Sequence, residues 1–370
     1  MRNKMLYRNP TSGLLEFQDL DFKPGTIRQY VPNDVDGKLE LKEFATAGDL
    51  SHLRIADPVA TNLAQGYINT SFVGDKIFTP SRVAKESGRF PAWGRESMFI
   101  QGDMKRMVGA RVARLQVQNS YVTTALSEYA LGIGIDNRER NEYAGGADAL
   151  VTSKILQVTG RIALYRENLQ AVAATTTTNY ASGHYISGAG KAWGGAGTGD
   201  PVSDMQDLGA LVLKKTGRFP NVAFFSYGAW LLFINNTAVL NRVKYGGSNI
   251  TPAQMGEKAA AELLQVEEVV VGKAVYGSPS APGSDGAPKK SAPTMAFLWD
   301  SVQANNVGMI IRGTGAGIEP AFGYTWERLN SPVIESWYDN ATKSQIYDYE
   351  HFFDPAITAT DSGAMYYSLA

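Results

Sequence analysis

The chain has 370 residues, 44% of them hydrophobic, and no cysteine. That length supports two or three domain-sized units, and the missing thiols exclude disulfides, Cys-ligated metals and Cys nucleophiles. Lys and Arg number 35 against 36 Asp and Glu, a formal charge of -1, which argues against a dedicated nucleic-acid binder held by a large basic excess. Met1-Arg2-Asn3-Lys4-Met5-Leu6-Tyr7-Arg8 is charged but is not followed by the apolar run of a signal peptide. The longest apolar stretch, Val222 to Ile234, is interrupted by Ser226, Tyr227 and Gly228 and is too short to span a bilayer, so a soluble protein is expected.

Residues 1 to 50 alternate short apolar clusters with Pro10, Gly13, Pro24, Gly25, Pro32 and Gly37, which predicts an extended arm of weak local order. Asp57-Pro58 suits an N-cap followed by proline in the first helical position, with a short helix carrying Val59, Leu63, Ala64 and Ile68. Strand-like stretches from Gly88 to Gln101 and from Arg111 to Ala130 flank turn signals at Gly102-Asp103 and Gly109, which reads as a long β-hairpin. Lys85 to Arg114 holds seven Lys or Arg and three Asp or Glu, a local charge of +4. Such a hairpin has few core residues and needs a neighbour to hold it.

From Ala147 to Thr175, Val151, Ile155, Val158, Ile162, Tyr165, Leu169 and Val172 recur at steps of four and three. This is one face of a helix roughly 40 Å long. Lys154, Gln157, Arg161 and Asn168 occupy the other side, giving an amphipathic core helix. Asn179 to Gly199 reads as an extended crossing. An α/β pattern follows: a helix from Asp200-Pro201 closed by Gly217, a buried strand Asn221 to Phe225, and a helix Ala229 to Asn235. A further helix runs from Thr251-Pro252 through Leu264, and a β-branched strand from Glu268 to Tyr276. The Pro/Gly/Ser-rich insert Ser278 to Pro293 reads as an exposed loop joining two paired strands, the second being Met295 to Trp299. Gly308 to Ile311, Ala321 to Trp326, Val333 to Tyr338, Gln345 to Phe353 and Ala364 to Leu369 read as strands.

Motifs of chemistry fail on inspection. Gly313-Thr314-Gly315-Ala316-Gly317 lacks the Gly-Lys-Ser/Thr of a phosphate loop, and Gly132-Ile133-Gly134 lacks the third glycine of a dinucleotide fingerprint. His52, His184 and His351 are the only histidines and show no metal-ligand spacing. No Gly-x-Ser-x-Gly elbow occurs. No catalytic, cofactor-binding or metal-binding residue is assigned, and no cofactor is expected.

The order of elements resembles the major capsid proteins of tailed double-stranded DNA phages, the Hong Kong 97 type of shell fold. The specific residues are Asp57-Pro58-Val59 through Leu63-Ala64-Gln65-Gly66-Tyr67, Val73-Gly74-Asp75-Lys76-Ile77-Phe78-Thr79-Pro80, and Val83-Ala84-Lys85-Glu86-Ser87-Gly88-Arg89-Phe90. Later in the chain come Gly217-Arg218-Phe219-Pro220-Asn221 with Trp230 and Val239, and Val269-Val270-Val271-Gly272. The resemblance implies an α+β fold with residues 1–55 as N-terminal arm, 56–81 as the first part of a peripheral domain, and 82–130 as an extended loop. It further implies 131–200 as peripheral domain with a spine helix at 147–175, 201–340 as axial domain with the insert 278–293 exposed, and 341–370 as returning C-terminal strands. It implies a structural role, with pentamers and hexamers closing into an icosahedral shell around the genome in the virion and assembly in the host cytoplasm. Scaffold and portal proteins, a cement protein, and packaged DNA held by non-specific contact are the implied partners, with no membrane.

An arm and a hairpin of this kind become useful when each overlaps a neighbouring subunit. Ser331 to Ala356 holds five Asp or Glu and one Lys, a charge of -4 against the hairpin's +4. Arg89, Arg95, Lys105, Arg106, Arg111 and Arg114 are therefore expected to meet acidic surface such as Glu335, Asp339, Asp348, Glu350 or Asp354 of a neighbour. Two alternatives stand beside this reading: an encapsulin-type compartment, which uses the same shell fold to enclose a cargo enzyme, and a soluble α/β enzyme.

Overall fold

A computed structural model describes residues 4–8, 15–19, 26–32, 39–46, 55–65, 71–92, 105–108, 111–112, 120–194, 199–245, 256–278, 294–315 and 319–369. In chain order the elements are β1 (Lys4–Arg8), β2 (Leu15–Asp19), β3 (Thr26–Pro32), β4 (Leu39–Thr46), β5 (Ile55–Ala56), α1 (Pro58–Gln65), α2 (Gly74–Ile77), β6 (Thr79–Val83), β7 (Ser87–Ala92), β8 (Ser120–Ala125) and β9 (Ser127–Asp136). There follow α3 (Asn137–Glu142), α4 (Ala147–Thr175), β10 (Tyr185–Ser187), α5 (Pro201–Thr216), β11 (Val222–Ser226), α6 (Tyr227–Asn235), α7 (Thr237–Tyr245), α8 (Glu257–Leu264) and β12 (Glu268–Gly272). The chain ends with β13 (Val275–Ser278), β14 (Thr294–Phe297), β15 (Val307–Ile310), β16 (Gly323–Arg328), β17 (Val333–Asp339), β18 (Ser344–Ile357) and β19 (Gly363–Tyr367). Two compact units emerge, one of Met1–Thr61, Gly132–Ile155 and Ile334–Asp348, the other of Asn62–Leu131, Leu156–Val333 and Tyr349–Ala370.

In the first unit, β1 pairs antiparallel with β2 and β3 with β4. The predicted weakly ordered arm therefore carries paired strands, in keeping with the period-two pattern of Leu39-Glu40-Leu41-Lys42. Asp57 accepts from Val59 N and Ala60 N at 3.0 Å each, the predicted cap of α1. β5 pairs with β17 at Ile55↔Ser336 and Ala56↔Glu335. Asp136 caps α3 through Arg138 N at 2.7 Å. Gly146, at φ 87°, ends that turn before α4, a conformation open to glycine.

In the second unit, a five-stranded sheet runs in the order β10-β19-β15-β11-β12. Every residue of β11 is buried, because both faces of this sheet are covered. Ala223 and Phe225 point to a core built with Met205, Leu208 and Val212 of α5, Phe233 of α6 and Leu264 of α8. Val222 and Phe224 point to the opposite core, with Ala171 and Ala174 of α4, Phe78, Trp299 and Phe322. The ends of α5 follow the sequence reading: Asp200 accepts from Val202 N at 3.2 Å, Pro201 opens the first turn, and Gly217 at φ 68° donates to Leu213 O at 2.8 Å. A second sheet region places β16 between β6, in parallel, and the later part of β18, antiparallel.

Several expectations change. The predicted strand Glu268 to Tyr276 is two strands, β12 and β13, divided at Lys273 and Ala274. β13 pairs instead with β14 in a separate two-stranded ribbon, Val275↔Phe297 to Ser278↔Thr294. The insert therefore joins paired strands as expected, while residues 279–293 themselves lie outside the described residues. The strand expected to reach Trp299 ends at Phe297 in a short 3-10 turn, Leu298–Asp300. α6 begins at Tyr227, two residues early, since Ser226 caps it through Ala229 N. α7 is an additional helix. The described part of the helix expected from Thr251 begins at Glu257, and 251–255 lie outside the described residues, as do 93–101 of the first predicted hairpin strand and 113–119 of the second.

α4 has the predicted bounds, but its buried face turns. Ile155, Val158 and Ile162 are buried as expected and Val151 and Leu169 are half-buried, whereas Tyr165 is 47% and Val172 37% exposed. From Glu167 onward the buried positions are Glu167, Gln170, Ala171, Ala174 and Thr175, a face displaced by nearly half a turn at 100° per residue. Two of these are strongly polar.

Candidate assembly surface

The expected hairpin is present between β7 and β8, registered from Ser87↔Ala125 to Ala92↔Ser120. Arg89, Lys105, Arg106 and Arg111 are exposed; Arg95 and Arg114 lie outside the described residues. Among the basic side chains stand exposed apolar ones, Met107 at 77%, Val108 at 107% and Val112 at 68%. A hairpin that presents cations and bare aliphatic groups together has the chemistry of a contact surface.

The expected acidic partners divide between the two units. Glu335, Asp339 and Asp348 belong to the first, Glu350 and Asp354 to the second. Asp339 accepts from Ala341 N at 2.9 Å and Thr342 Oγ1 at 2.7 Å, so it holds its own β17–β18 turn. Asp348 accepts from Trp337 Nε1 at 2.9 Å and stands against Gly132, where any side chain would collide with it. Burial pushes the Asp354 carboxyl up. Glu335 and Glu350 are half-buried.

A polar knot at the base of the hairpin was not singled out by the sequence. Glu167 accepts from Val73 N at 2.9 Å, Gly74 N at 2.8 Å and Trp299 Nε1 at 2.8 Å, while being only 2% exposed. Burial pushes its carboxyl up, and the three hydrogen bonds oppose that shift. Beside it Arg166 pairs with Asp75 at 2.6 Å and Glu327 at 2.5 Å and lies over the Phe353 ring. Gln170 donates to Asp75 at 2.7 Å and Thr325 Oγ1 at 2.8 Å. Desolvation raises Glu327 as well. His351, 3.9 Å from Glu327, is held down to about 3 by burial and the Arg166 charge. The signal in the sequence was the polar run Arg166-Glu167-Asn168 with Gln170 inside an apolar helix.

The remaining residues weighed for chemistry fall in structural settings. His184 is buried with Nδ1 2.8 Å from Gly363 O, and His52 lies outside the described residues. Gly313 packs on the Tyr324 ring. Among the described residues no group of three His, Cys, Asp or Glu could hold a metal ion, and no helix is long and apolar enough to cross a membrane.

No family model matches the chain. It is 28% identical over 320 residues to the major capsid protein of Burkholderia phage BcepMu, covering 85% of this chain and 97% of that one. It superposes on a phage-related protein from Bordetella bronchiseptica RB50 with TM-score 0.67 and 22% identity, covering 86% of this chain and 98% of that one. Against a capsid chain of cyanophage P-SCSP1u the TM-score is 0.53 at 12% identity, covering 88% and 94%. The chain thus carries the fold of phage capsid proteins, and its homologue is a phage major capsid protein.

Proposed function

We propose that this chain is a major capsid protein whose copies form pentamers and hexamers and close into an icosahedral shell around a phage double-stranded DNA genome. The observation that carries this is the 28% identity to a phage major capsid protein, sustained over 85% of this chain and 97% of the relative. Its role is structural and no substrate is turned over. In this reading residues 1–55 are the N-terminal arm, 56–81 and 131–200 the peripheral domain, 82–130 the extended loop, 201–340 the axial domain with an exposed insert, and 341–370 its returning strands. Scaffold, portal and cement proteins act with it, assembly takes place in the host cytoplasm, and packaged DNA meets it by non-specific contact.

The contact between copies joins the basic hairpin to an acidic surface of the neighbour. Arg89, Arg95, Lys105, Arg106, Arg111 and Arg114 supply the cations, and Met107, Val108 and Val112 supply apolar area beside them. Glu335, Asp339, Asp348, Glu350 and Asp354 are the acidic partners, of which Asp339 and Asp348 also hold local structure. The test is expression alone and with the adjoining phage genes, followed by analytical ultracentrifugation and negative-stain electron microscopy. Closed shells or discrete pentamers and hexamers are expected, and nucleic-acid absorbance of the particles separates a genome container from a protein-cargo compartment. A compact monomer under every condition would refute the reading.

A further inference from the structure

Three residues of α4 grip, from two sides, the strand that leads into the β7–β8 hairpin. Glu167 holds Val73 N and Gly74 N and so fixes α2, which runs directly into β6. Gln170 and Arg166 hold Thr325 and Glu327 of β16, the residues that stand opposite Pro80 and Arg82 of β6 in the parallel register. Asp75 of α2 takes a bond from each of Arg166 and Gln170. β6 then continues through residues 84–86 into β7.

Packing alone would not call for this arrangement. The grip pairs the guanidinium of Arg166 with the carboxylates of Asp75 and Glu327 and seats a third carboxylate, Glu167, on three neutral donors, with Glu167 and Glu327 2% and 7% exposed. His351 beside them adds no positive charge at neutral pH. Apolar side chains would fill the same volume at lower desolvation cost. Apolar contact is non-directional, however, whereas hydrogen bonds fix an orientation. Gly74 shows how closely the parts fit: a β-carbon there would overlap the Gln170 side-chain amide and lie 2.8 Å from Glu167 Oε2.

We infer that Arg166, Glu167 and Gln170 are positioning residues for assembly, which set the direction in which the hairpin leaves its unit by locking both α2 and β16 onto the long helix. The last step rests on the assembly reading above; the lock itself does not.

The test measures hydrogen–deuterium exchange of the unassembled full chain, and particle yield on co-expression, for the native protein, Glu167→Gln, Gly74→Ala and Arg166→Lys. Glu167→Gln keeps one acceptor oxygen but sets an amide NH2 against at least one of the three donors, and Gly74→Ala forces the parts apart with every charge in place. Amides of 72–78 are expected to exchange about tenfold or more faster in both, with β11 protected as in the native chain and particle yield down about tenfold or more. Lys at 166 keeps the charge but cannot span Asp75 and Glu327, so it too should lose yield. Gly74→Ala carries the test where Glu167→Gln loses protection in β11.

Unchanged exchange at 72–78 in Gly74→Ala overturns the lock. Fast exchange with native particle yield overturns the positioning role, as does full activity of Arg166→Lys in assembly. A native chain that forms no particles overturns the assembly reading and this inference with it.

Discussion

Trp299 Nε1 donates to Glu167 Oε1 at 2.8 Å across 132 positions of sequence, and both side chains are buried. The bond joins the long helix to the turn after β14, beneath the central sheet. Trp299 also lies against Gly272 so closely that no side chain fits there. The indole is thus both a donor to a buried carboxylate and a packing surface for β12.

Trp299→Phe keeps most of the packing and removes the donor. A buried carboxylate deprived of one of three bonds should cost about 1–3 kcal/mol, read as a lower urea midpoint with unchanged m-value. A loss under about 0.5 kcal/mol, the size of a bland surface change, would mean the bond is unimportant.

Stability should fall in acid because of His351. Its imidazole stays neutral in the folded chain down to about 3, against 6.5 ordinarily, so below pH 6.5 the unfolded chain binds the extra proton. The stabilising difference is complete above pH 6.5 and is lost toward pH 3 at up to about 1.4 kcal/mol per pH unit. Glu167 and Glu327, both raised above 4.5 by burial, work in the opposite sense. They bind protons more readily folded than unfolded, so they offset part of the loss as pH drops toward 4.5. Urea midpoints at pH 7, 6 and 5 should decline for the native chain and decline less for His351→Phe; parallel curves would refute the assignment.

Phe225 is fully buried and touches Trp230 and Phe233 at ring separations of 5.6 and 5.2 Å. Phe225→Ala should cost about 3–5 kcal/mol, read as a markedly lower midpoint of thermal unfolding by circular dichroism.

Reversing charge on the hairpin should act on assembly and leave the subunit intact. Arg106→Glu combined with Arg95→Glu is expected to abolish or strongly reduce particles, since like charges would face each other across the proposed contact, with the isolated chain still unfolding cooperatively. Particles of native yield and native resistance to salt would refute the electrostatic contact.

Gly217 closes α5 at φ 68°. Gly217→Ala should cost about 1 kcal/mol, because an L side chain resists the left-handed region. Asn at the same position should recover part of that loss, since it tolerates this conformation better than alanine does.

Local signals explain what the sequence by itself determined. Asp57-Pro58, Asp200-Pro201 and Gly217 mark helix ends because capping and φ preference act within one turn, and each lies where it was expected. The bounds of α4 and the strand core of β11 were likewise legible, since period and β-propensity are properties of a short window. The segments around α1 and α2 also pointed to the capsid fold, on which the chain superposes in the cyanophage capsid structure.

The tertiary structure alone decided the rest. Periodicity reports which positions of α4 share a face but not which face a sheet will cover, so the turn of its buried side onto Glu167 and Gln170 was invisible. The parallel pairing of β6 with β16 joins segments more than two hundred positions apart, and no local rule selects such a partner. A lone Glu in a helix reads as solvated; three donors brought from Val73, Gly74 and Trp299 make it a buried acceptor. Its environment comes from distant chain, and that is why only the folded molecule reveals it.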